Sequence, residues 1–147
     1  MRFSIRTLLI VTLVVAAMIG GGISLKRKLD HGIGLAYASW GCGDLLVDYL
    51  EANSNQWPSD WATLERHYEK SKKTYVGIGS FHYLQQEFEI DFDFNPVADS
   101  KAWIDNPEPE RVVKYRNGSA AYVSGHEANS RVLQYLVDHR GEIQDGG

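Results

Sequence analysis

Acidic residues are missing from the first 29 positions of the chain, and 19 of them follow from Asp30 onward. Cysteine is nearly missing too. The one thiol, Cys42, excludes an internal disulfide and any metal site built from several cysteines, so cysteine usage carries no redox signature. There is no basic excess either: from Lys26 onward 13 Lys and Arg stand against 19 Asp and Glu, which leaves the body near −6. A nucleic-acid partner would need a basic stripe to neutralise phosphates, so that class is excluded.

Catalytic motifs are absent as well. His126-Glu127 begins like H-E-x-x-H, but Ser130 stands where the second zinc ligand belongs. His31, His67, His82 and His139 have no paired ligand spacing, and no G-x-S-x-G elbow occurs. Gly32-Ile-Gly34 lacks the third glycine of a dinucleotide loop, with Tyr37 at that place, and the Gly77–Ser80 stretch is not followed by the Lys-Ser/Thr of a phosphate loop. Asp138 and His139 are consecutive on an expected helix and point about 100° apart, so they form no preformed pair. The expectation is a protein without catalysis and without cofactor, with a metal-dependent hydrolase as the minority enzyme reading.

What the front end does contain is apolar. Thr7 to Leu25 is 19 residues without a charge, about 28 Å as a helix at roughly 1.5 Å per residue. That just matches a hydrocarbon core of roughly 30 Å, and Lys26, Arg27 and Lys28 close the run. Two membrane readings follow. In a cleaved signal peptide, Met1–Arg6 is the charged region, Leu8–Ile19 the apolar region, and Gly20 and Gly22 the small residues before the cut. In an uncleaved anchor, the run continues through Ile23 and Leu25 to the basic stop. The sequence lacks both an A-x-A site and a lipoprotein cysteine, which favours the anchor. Residues 1–28 are therefore expected to be a membrane anchor, with the bilayer as partner through Thr7–Leu25. Residues 29–147 are expected to be one small extracytoplasmic α+β domain, or a secreted one after cleavage. Basic residues flank the span almost equally, so orientation rests on the short N-terminus staying inside.

In the body, Leu35, Ala38, Cys42, Leu45, Leu46, Tyr49 and Leu50 recur at helical spacing over residues 35–53. Gly41 and Gly43 interrupt that pattern, either as a break or as places where another backbone comes close. A turn at Trp57-Pro58 leads into a second helix capped by Ser59, with Trp61, Leu64 and Tyr68 on one side. "EFEIDFDFNP", Glu87–Pro96, alternates strictly and reads as a strand from Phe88 to Phe94. Residues 97–110 read as a proline-bounded loop anchored by Trp103. Asn117-Gly118 marks a hairpin that puts Lys114 and Arg116 on one face, ready to lie beside Glu89, Asp91 and Asp93. Ser130–Arg140 is a last helix, and the tail after it should fray.

The alternating carboxylates raise the question of a cation site. Same-face strand residues lie about 6.6–7 Å apart, too far for one calcium ion that wants its oxygens at about 2.3–2.6 Å. No metal site is expected; its only candidates are Asp93, Asp99 and Asp105, where strand meets loop. Trp57, Trp61 and Trp103 are the candidates for an interaction surface, lining a groove in a small binding domain.

"RFSIRTLLIVTLVV" resembles the N-terminal segment of type IV pilins and type II secretion pseudopilins: Phe3 and Ser4 match their Phe-Thr pair, and Leu8–Val11 the start of their apolar helix. Arg2 stands where the family's processing glycine belongs, and Thr7 where its register glutamate belongs. The order helix, Trp57-Pro58 turn, short helix, small sheet is similar to the family's layout. The resemblance implies a pilin-like architecture without the assembly signals: an N-terminal transmembrane helix, then amphipathic helices packed on a small antiparallel sheet. It also implies a structural or interaction role among envelope proteins, and a C-terminal loop of the kind that binds calcium in some pseudopilins.

Overall fold

The computed structural model describes residues 5–105, 111–116 and 127–145. One helix dominates it. α1 (Ile5–Ala52) runs 48 residues without a break, about 72 Å at roughly 1.5 Å per residue. Its two halves differ. Ile5, Leu9, Leu13, Met18, Ile19 and Leu25 are exposed, whereas Leu35, Ala38, Cys42, Leu45, Leu46, Tyr49 and Leu50 form the spine of the core, as the helical spacing predicted. Among the described residues no helix is long and apolar enough to cross a membrane. Side chains 6–8 and 11, inside or beside the Thr7–Leu25 run, lie outside that description.

Gly41 and Gly43 do not break the helix. A methyl at Gly41 would fall 2.2 Å from the Val76 carbonyl oxygen, and one at Gly43 would fall 2.9 Å from Ala128 Cα. These are close approaches of a loop and of α5 (Ala128–Asp138) to the spine. Gly77 completes the first crossing: its φ is +74°, and a methyl there would fall 2.3 Å from the Tyr37 backbone carbonyl carbon. Only glycine fits there.

α2 (Trp61–Ser71) buries Leu64, but Asp60, not Ser59, is its N-cap: the Asp60 carboxylate accepts from Thr63 N at 2.7 Å. Then the structure departs from the expected β half. Residues 81–87 form a helix, α3 (Phe81–Glu87), because Ser80 caps it through Tyr83 N at 3.2 Å and Phe81 and Leu84 share a buried side. The alternating run is not one strand. β1 covers only Phe88–Ile90 and pairs antiparallel with β2 (Val113–Tyr115), Glu89 opposite Lys114. Beyond Ile90 the Asp91 carboxylate accepts from Asp93 N at 3.0 Å and turns the chain. Burial still alternates, with Phe88, Ile90 and Phe94 inside and Glu89, Asp91 and Asp93 outside.

The expected loop after Asn95 is helical instead, α4 (Pro96–Asp105). Asn95 accepts from Val97 N and Ala98 N, Asp99 reaches back to Asn95 N, and Pro96 takes the first helical position, where no N–H is needed. Residues 106–110 and the Asn117-Gly118 hairpin turn lie outside the described residues. α5 packs along α1, and its start is held by Ala128 N donating to Ser39 Oγ at 3.1 Å. The tail does not fray at once: α6 (Arg140–Asp145) follows, anchored by buried Ile143. The described residues are α+β, mostly helical with a two-stranded antiparallel sheet.

Candidate functional site

The turn after β1 and the start of α4 enclose a cleft of about 360 Å³, lined by Asp91, Asp93, Phe94, Asp99, Trp103 and Val112 among others. Two of the three candidate metal ligands, Asp93 and Asp99, meet here. The third does not. Asp105 sits at the far end of α4, with Arg140 Nη2 3.9 Å away. Asp99 is already engaged, accepting from Asn95 N at 2.8 Å. Among the described residues, no group of three or more His, Cys, Asp or Glu is arranged to hold a metal ion.

The three tryptophans separate as well. Trp103 is buried and packs edge-on against Phe94, and it alone of the three lines the cleft. Trp57 abuts the other side of Phe94 with ring centroids 5.1 Å apart, and its Nε1 donates to the Asp91 carbonyl at 2.7 Å. Trp61 belongs to another cluster, edge-on to Phe81 and Phe92. These contacts make Trp57 and Trp61 braces between the Trp57-Pro58 turn, α2 and the β1–α4 segment, not walls of one groove.

The densest polar arrangement lies elsewhere. Asp48 on α1 accepts from Lys73 Nζ, from Tyr75 Oη at 2.7 Å and from His67 Nε2 at 2.9 Å. A carboxylate only accepts, so Nε2 of His67 carries a proton. Burial pushes the Asp48 carboxyl up, but the hydrogen bonds from Lys73, Tyr75 and His67 outweigh it and hold the group below its ordinary value. Burial first, then its contact with Asp48, pushes the Tyr75 phenol up to about 12.

No protein-family model matches the chain, and no curated protein or solved structure matches it. Chemistry at each site must therefore be judged from its own geometry.

At Asp48 the geometry is that of a clasp. Three donors already occupy three of the carboxylate's roughly four lone-pair positions, two on Oδ2 and one on Oδ1, and fix it in place. The adjoining cleft of about 270 Å³ carries Asp44, Glu51, Lys73 and Arg131, and Arg131 Nε is bound to Asp44 at 2.7 Å. Cys42 is no nucleophile: full burial pushes its thiol up to about 12. Asn129 is buried and structural, with its amide bonded to both Val113 N and Val113 O at 2.9 Å. The sequence marks Asp48 only as one of the acidic residues on the outer face of its helix, and Asn129 not at all. Apart from the Asn129–Glu127 contact, their partners lie 16 to 27 positions away and follow no local motif.

Proposed function

We propose that the protein is a membrane-anchored, pilin-like structural or interaction protein of the cell envelope, held by residues 1–28, with its α+β domain outside the membrane. The observation that carries this reading is the division of α1. Its C-terminal half is the core's spine, while its N-terminal half exposes Ile10, Leu13, Val14, Met18 and Ile19 along an uncharged run closed by three cations. An apolar helix surface that the described residues leave exposed is stabilised by hydrocarbon, not by water. A helix-led layout with a small sheet also supports the likeness to pilins.

The polar sites support a binding or structural role over catalysis, because Asp91 and Asp99 hold the turn and the start of α4, Asp44 is paired with Arg131, and Asp48 is held in its clasp. A second reading, a cleaved small binding domain, draws on the aromatic-floored cleft at Phe94 and Trp103. Alkaline carbonate extraction of membranes carrying the full chain separates the two. The anchor predicts that the protein stays in the pellet and leaves only with detergent. Release of the whole population into the carbonate supernatant would overturn it.

A further inference from the structure

We propose that Lys26, Arg27 and Lys28 form a collar that binds the anionic phosphate headgroups of the leaflet from which α1 emerges. The proposal rests on the anchor reading above and adds the chemistry of the lipid.

Placement comes first. The three cations follow directly on the uncharged run that ends at Leu25, and α1 continues through them unbroken. Consecutive helical residues point about 100° apart, so three in a row fan over about 200° of the helix surface within one turn. All three are exposed, and none makes an ion pair among the described residues. An arc of this kind, at the end of a hydrocarbon-length helix, sits at headgroup depth.

Charge then selects the lipid. With no acidic residue before Asp30, the whole membrane-proximal segment is positive. The rest of the chain, from Leu29 onward, carries 10 Lys and Arg against 19 Asp and Glu, near −9, and would be repelled by the same anionic leaflet. The helix resolves that conflict by distance. Residues 29–34 separate Lys28 from Leu35, the first fully buried side chain of the core, which is about 9 Å at roughly 1.5 Å per residue. That is on the order of one Debye length, about 8–10 Å at moderate salt. The collar therefore feels the headgroups at contact while much of the domain's repulsion is screened. A cation this close to an anionic surface strengthens binding roughly fivefold.

The test uses the full chain in a mild non-ionic detergent, mixed with equal amounts of phosphatidylglycerol and phosphatidylcholine of identical acyl chains. Retained lipids are counted by native mass spectrometry. We expect phosphatidylglycerol to be retained about tenfold over phosphatidylcholine. The preference should fall towards parity in the K26Q/R27Q/K28Q variant, while that variant still resists carbonate extraction because its apolar run is intact. Equal retention of the two lipids by the unaltered chain, or a preference the triple variant keeps, would overturn the collar and leave the anchor standing. Collar-dependent dimers without lipid preference would assign the cations to a second copy instead. Carbonate release of the unaltered chain would remove the anchor, and the collar with it.

Discussion

At Asp48, donors from α2 and from the segment that follows it converge on one carboxylate of α1, and the side chain is 13% exposed. Removing the carboxylate would leave the Tyr75 hydroxyl and His67 Nε2 without their acceptor. Because the folded-state pKa lies below the ordinary 3.8, the clasp's contribution is fully present above that value and is lost as pH falls through the lower one. The unaltered protein should therefore lose melting temperature as pH drops below about 3.8, and Asp48→Asn, less stable at pH 6, should show a shallower acid limb. Parallel acid limbs in thermal melts would show that Asp48 contributes nothing. The core residues of α1 were legible in the sequence because three- and four-residue spacing exposes them. Asp48 was legible only as a solvated face, since its meaning depends on Lys73 and Tyr75, 25 and 27 positions away.

The elements were harder to read than their buried faces. Alternation from Phe88 to Phe94 correctly told which side chains face inward, but a three-residue strand and an Asp91 turn give the same in–out order as a seven-residue strand. Asn95-Pro96 read as the end of a strand, yet proline at the first helical position starts a helix, here with Asn95 as the cap. The glycines sort by what lies over them. Gly77 combines a left-handed φ with backbone contact to α1, whereas nothing lies within 4 Å of the position a methyl would take at Gly79. We expect Gly77→Ala to cost about 2 kcal/mol or more in chemical denaturation, through strain and the displaced crossing. Gly79→Ala should stay within about 0.5 kcal/mol. Equal effects at the two positions would mean that the loop crossing over Tyr37 and Gly41 is not tightly held.

At the scale of the molecule, one helix joins two environments. Its last turns are packed by α5, the crossing loop and α3, while the side chains of its first half, where described, are exposed. That division was visible in the sequence as the boundary between an uncharged run and an amphipathic one. The sequence could not disclose that no break separates them, because Gly41 and Gly43 offered one and the anchor and the amphipathic helix read as separate segments. Continuity matters for function: a rigid rod would hold the acidic domain at a fixed height above a membrane, whereas a hinge would let it tumble. The intact mass of the protein recovered from carbonate-washed membranes tests this most directly. An uncleaved anchor predicts a mass that includes residues 2–22, with or without Met1. A chain beginning at Ile23 would contradict it, since the remainder has no uncharged run long enough to span.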